Sequence, residues 1–252
     1  MSEPTFFIIT RGETKLMKPL IVANWKANKT ISEATSWVEK TKAPLGSLEK
    51  IQVVVCGSFV TLPLLNNLFS GTSVKVGAQT VSHLGQGAFT GEVTAEMLQG
   101  LVEYCIVGHS ERKKYFAETD QMIVKKVEFL LEKKIIPVLC TANQEQLESY
   151  LKESLAIREK AEEIIFVYEP PSAISGGGDY HPETPEAADQ VCKSIKEKIG
   201  REVVTIYGGS VNPENIKSFL SMPEIHGALP GQASLEEETF VRLVSVASEA
   251  VI

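Results

Sequence analysis

Ile164-Ile165-Phe166-Val167-Tyr168-Glu169 is a run of apolar residues closed by a carboxylate. It shows no polar alternation. Such a run suits a strand covered on both faces, the condition of a parallel sheet flanked by helices. Working outward, similar runs recur at Leu20–Asn24, Ile51–Cys56, Val74–Ala78, Tyr104–His109, Ile135–Cys140, Val203–Tyr207 and Ile225–Leu229. Helical stripes lie between them. Ile123, Val127, Leu130 and Leu131 make one; Leu147, Tyr150, Leu151, Ser154 and Leu155 a second; Ala188, Val191, Cys192, Ile195 and Ile199 a third. Thr184-Pro185-Glu186 and Asn212-Pro213-Glu214 each read as an N-cap, a proline at the first helical position and an acid near the positive helix end. Eight strand–helix repeats in one chain predict an α/β fold, a single (β/α)8 barrel. A doubly wound open sheet is the other arrangement with this alternation, but no G-x-G-x-x-G follows an early strand.

The chain has 252 residues, 43% apolar and 23% charged, with a formal net charge of −7. One barrel accounts for that length. An acidic chain without a basic block is a poor nucleic-acid binder, so an anionic substrate must be held by a local site. Cys56, Cys105, Cys140 and Cys192 form no C-x-x-C pair and join no His cluster. They read as buried reduced thiols of a cytoplasmic protein, with neither metal nor cofactor implied. No apolar run is long enough to span a bilayer. Residues 1–17 lack the basic start, long apolar stretch and small-residue cleavage site of a secretory signal. They read as an extension outside the fold, with residues 18–252 forming the barrel. An added strand or a partner-binding arm is the competing reading of that extension.

Barrel chemistry belongs at the C-terminal ends of the strands. Asn24 and Lys26 follow the first run, His109 the fourth and Glu169 the sixth; Gly208-Gly209-Ser210 follow the seventh and Gly231 the eighth. A cation, an imidazole, a carboxylate and two glycine turns therefore fall on one face.

Asn24-Trp25-Lys26, Val107-Gly108-His109-Ser110-Glu111-Arg112, Tyr168-Glu169-Pro170 and Tyr207-Gly208-Gly209-Ser210-Val211 resemble the four signature segments of the triosephosphate isomerase family. Gly87-Ala88-Phe89-Thr90-Gly91-Glu92 resembles its subunit-contact loop. The order and spacing fit from about Lys18 onward. The resemblance implies interconversion of glyceraldehyde 3-phosphate and dihydroxyacetone phosphate through an enediolate, a step of glycolysis and gluconeogenesis. Glu169 would be the base, His109 a neutral imidazole donating to the carbonyl oxygen, and Lys26 the group that stabilises negative charge. Glu111 would pair with Lys26, Ser110 would support the site, and Asn24 would orient the substrate oxygens and the imidazole. The N–H groups of Ser210, Gly231 and Gln232 would hold the phosphate, opening onto a short helix near Ser234. Pro170 to Gly178 resembles the family's closing lid, with the Ser175 N–H offered to the phosphate. Residues 79–95 imply a homodimer, Thr90 bracing Asn24 and His109 of a second subunit.

Four places depart from the family pattern. Ser172 stands where the lid carries Trp, and Ser175-Gly176-Gly177 replaces Gly-Thr-Gly. Cys140-Thr141-Ala142-Asn143 replaces Cys-Ile-Gly-Glu, which removes the usual partner of that Trp. Leu229-Pro230-Gly231-Gln232 replaces Leu-Val-Gly-Gly, so Gln232 is strained if the site demands positive φ, and Pro230 lacks an N–H. These changes predict weaker phosphate affinity. They also keep in view an inactive or altered phosphosugar-binding barrel with a modified lid.

Overall fold

The computed structural model describes residues 7–10, 13–16, 18–170 and 182–250. Strands β1 (Phe7–Thr10) and β2 (Glu13–Leu16) pair antiparallel as a separate two-stranded sheet. The next eight strands close a parallel barrel in chain order. They are β3 (Leu20–Asn24), β4 (Gln52–Gly57), β5 (Lys75–Ala78), β6 (Tyr104–Val107), β7 (Ile136–Thr141), β8 (Ile165–Tyr168), β9 (Val204–Tyr207) and β10 (Gly227–Ala228). Closure falls between β10 and β3, where Gly227 pairs with Leu20 and Ala228 with Ile21.

Helices cover the barrel. They are α1 (Ile31–Gly46), α2 (Leu62–Leu68), α3 (Ala95–Leu98), α4 (Ser110–Phe116), α5 (Asp120–Glu132), α6 (Gln144–Glu153), α7 (Leu155–Glu159), α8 (Pro185–Ile199), α9 (Ile216–Leu220) and α10 (Glu237–Glu249). The two-sided burial explains why the strand runs do not alternate. Along β8, Ile165 and Val167 join the cluster inside the barrel, while Phe166 and Tyr168 join the layer under the helices. Along β3, Leu20 and Val22 point in and Ile21 and Ala23 point out. Each fully buried aliphatic side chain contributes about 1.5–3 kcal/mol, so both faces stabilise every strand.

Two expected helices differ from the sequence reading. The stripe from Leu147 to Leu155 is broken at Ser154, whose backbone is extended at φ −128 and ψ 119. The Ser154 hydroxyl accepts from the Ile157 N–H at 3.3 Å and donates to Glu128 at 2.9 Å. It ends α6 and starts α7, leaving Leu155 exposed. Asn212 does cap a turn, its Oδ1 accepting from the N–H groups of Glu214 and Asn215 at 2.9 Å. The helix itself begins only at Ile216. Thr184 caps α8 as expected, accepting from the Ala187 N–H at 3.2 Å.

Candidate active site

Lys26 leaves β3 two residues beyond the strand. Asn24 Oδ1 accepts from the Lys26 N–H at 3.0 Å and holds that residue at φ 53. A left-handed conformation costs a non-glycine residue about 1–2 kcal/mol, and such strain collects where a side chain must be aimed. Lys26 Nζ then meets Glu111 Oε1 at 2.8 Å, the pair anticipated from the sequence. A Cβ at Gly231 would lie 2.9 Å from Lys26 Cε, so a side chain there would displace the lysine. Asn24 is buried behind Lys26. Its backbone N–H donates to Pro230 at 3.0 Å and its carbonyl accepts from the Ser234 hydroxyl at 3.3 Å, joining β3 to the turn after β10.

Glu169 follows β8 and its N–H donates to Thr141 of β7 at 2.9 Å. Its side chain is 3% exposed. Both carboxylate oxygens are engaged. Oε2 accepts from the Ser110 N–H at 2.9 Å; Oε1 lies 3.1 Å from the Ser110 hydroxyl and 2.9 Å from His109 Nε2. Gly108 at φ 73 turns the chain between β6 and His109, which caps α4. His109 Nδ1 accepts from the Glu111 N–H at 3.3 Å. A neutral imidazole accepting at Nδ1 carries its proton on Nε2. The ring therefore presents an N–H toward the carboxylate. Cys140 is buried beside them, and burial first, then the Glu169 charge, raises its thiol pKa. The other three cysteines are also free and buried.

A cavity of about 280 Å³ brings Lys26, His109 and Glu169 together with Ser210, Gly231 and Gln232. Gly231 has φ −91, and Gln232 to Ser234 form a 3-10 turn. Gln232 is absent from the residues with positive φ, so the strain anticipated there does not arise. The helix anticipated near Ser234 is this short turn; α10 begins three residues later. Asn143 at the end of β7 caps α6, its Oδ1 accepting from the Gln146 N–H at 2.9 Å. Thr90 is exposed and faces a separate concavity with Phe89, Arg112 and Glu118. Ser172 and Ser175, and with them the expected lid, lie outside the described residues.

The sequence reading missed two features. Tyr168 donates to the Glu183 carboxylate at 3.0 Å, and the Tyr207 hydroxyl accepts from the Glu183 N–H at 3.0 Å. These bonds anchor the chain just after residues 171–181. Burial, then the Glu183 bond, raises the Tyr168 phenol pKa. Glu236 also lines the cavity. No local spacing signals either feature, because each spans elements far apart in sequence.

A closed parallel barrel with a carboxylate, an imidazole and a lysine around one cavity beyond its strands defines a barrel enzyme of the acid–base class. Among the described residues no group of His, Cys, Asp or Glu is placed to hold a metal ion, and no helix is long and apolar enough to cross a membrane. The sequence profile of a family described as triosephosphate isomerase matches residues 19–247. The triosephosphate isomerase of Dictyoglomus turgidum is 37% identical over 91% of this chain and 99% of its own length. That of Thermus thermophilus is 38% identical over 92% and 100%, and that of Aquifex aeolicus 37% over 90% and 99%. The chain belongs to the triosephosphate isomerase family.

Proposed function

We propose that this protein is an isomerase that interconverts glyceraldehyde 3-phosphate and dihydroxyacetone phosphate in glycolysis and gluconeogenesis, with Glu169 as base, His109 as proton-bearing electrophile and Lys26 as electrostatic stabiliser. The observation that carries the reading is the His109 Nε2 to Glu169 Oε1 contact of 2.9 Å at the wall of a cavity that also holds Lys26. Substrate binding exchanges that contact for two others: the substrate carbonyl oxygen takes the Nε2–H, and the freed carboxylate oxygen takes the proton from the adjacent carbon. An enediolate results. Its charge is met by Lys26 and by the imidazole N–H. Proton transfer between the two oxygens, then return of the Glu169 proton to the other carbon, completes the isomerisation without net redox change. Glu111 serves both partners, since its carboxylate holds Lys26 and its N–H fixes the imidazole tautomer. Both Ser110 bonds to Glu169 must loosen for the carboxylate to reach substrate, a motion suited to a residue directly ahead of the lid. Ser210, Gly231 and Gln232 are assigned to the phosphate, with Ser175 joining them from the lid.

A coupled assay in both directions tests this. Glu169→Gln keeps the shape and removes the base, so activity is expected to fall at least about 10²-fold. Activity retained in that variant, correctly folded, removes Glu169 from the mechanism.

Residues 18–252 are assigned to the catalytic domain and residues 1–17 to an extension, a division supported by the family match beginning at residue 19. The protein is proposed to work in the cytoplasm as a homodimer. Phe89, Met97 and Phe116 are exposed large apolar side chains on one subunit, and residues 79–94 hold no helix or strand of their own. Thr90 would then reach the second subunit's site.

A further inference from the structure

The cavity holds one charge that the proposed chemistry leaves unused. Glu236 lines it together with Lys26, Ser210 and Gln232. The same residue is the N-cap of α10, a helix of 13 residues. Its Oε1 accepts from the Glu238 N–H at 3.2 Å and its Oε2 from the Thr239 N–H at 2.7 Å. Those hydrogen bonds, chiefly from Thr239, hold its pKa below the usual carboxylate value. A helix N-terminus is a ready site for a phosphate, because its free N–H groups and dipole favour an anion. Here a protein carboxylate already occupies that end, and Glu237 and Glu238 add two more acids in the first turn. Glu236 is exposed at the cavity wall; among the described residues no cation forms an ion pair with it, and Lys40 and Lys29 act on it only from farther away. Lys26, the cation on the cavity wall, is already paired with Glu111.

We infer that Glu236 is a specificity-determining residue that lowers the site's affinity for dianions, the substrate phosphate and free inorganic phosphate alike. The inference rests on the reading that the cavity binds a phosphorylated triose. It deepens that reading by naming what tunes the anion site. A fixed negative charge beside a dianion raises the energy of the bound ground state and of the transition state equally. Its effect therefore falls on KM more than on kcat.

Glu236→Gln and Glu236→Ser each remove the charge and keep an oxygen for the N–H groups of α10. At low ionic strength both variants are expected to lower KM and the inhibition constant of inorganic phosphate at least about threefold. The difference from wild type should shrink in high salt, as charge repulsion is screened. Unmoved constants in folded variants overturn the inference, as does a shift that high salt leaves intact. Calorimetric titration with inorganic phosphate reads the same site without turnover. A wild-type protein that fails to isomerise triose phosphates sinks the functional reading. An active one whose phosphate affinity ignores position 236 sinks only this inference.

Discussion

Gln232 shows how a residue-level expectation changes once its backbone is known. The family's glycine at that position suggested a left-handed requirement, yet Gln232 sits in a 3-10 turn without positive φ. Replacing it with glycine therefore relieves no strain. Gln232→Gly is expected to cost about 0.5–1 kcal/mol of stability through added freedom of the unfolded chain, read by chemical denaturation. It is also expected to lower KM for the triose phosphate, because it clears an exposed side chain from the turn proposed to hold the phosphate. A KM equal to wild type would count against weakened phosphate binding at this turn. Lys26 presents the opposite case. Its positive φ is real, held by the Asn24 hydrogen bond, and no sequence pattern announced it.

At the scale of elements, Ser154 separates two helices that a hydrophobic stripe had joined. Leu147, Tyr150, Leu151 and Ser154 are buried, whereas Leu155, the last stripe position, is exposed. The hydroxyl caps α7 and reaches Glu128 of α5. Ser154→Ala removes both bonds and is expected to destabilise by about 1–2 kcal/mol. Ser154→Asp, which preserves the cap but sets a carboxylate against Glu128, should recover little of that loss. Equal stability of Ser154→Ala and wild type would show that burial alone positions α7.

For the whole molecule, acid sensitivity follows from a histidine far from the proposed chemistry. His226 is buried just before β10; its Nδ1 accepts from the Thr205 N–H at 3.1 Å, and Lys196 Nζ lies 3.5 Å from Nε2. Lys196 is itself paired with Glu224 and Glu202. Burial first, then the Lys196 charge, lowers the His226 pKa from 6.5 to about 3. The unfolded chain thus binds this proton at higher pH than the folded one. The stabilisation is complete above about pH 6.5 and is lost as pH falls toward 3, by up to about 1.4 kcal/mol per pH unit. His226→Asn keeps an acceptor for Thr205 and should flatten the stability–pH curve in that window; an unchanged slope would refute the assignment. Assembly is also a property of the whole molecule. Sedimentation at micromolar concentration is expected to give a dimer, and a monomer would remove Thr90 from the proposed site.

The strand runs by themselves determined a parallel α/β fold, because a strand buried on both faces leaves a signal in the sequence along its own length, and eight repeats without an early G-x-G-x-x-G turn pointed to the barrel. Its strand ends also placed Lys26, His109 and Glu169 on one rim, as the order of the chain requires in a parallel barrel. Only the tertiary structure decided that Glu169 meets Ser110 and His109, that Glu111 serves both Lys26 and His109, and that Glu236 shares the cavity. Those contacts depend on side-chain directions set by neighbouring strands and turns. A linear pattern records which residues face the same way, and the distances between them exist only once the sheet has closed.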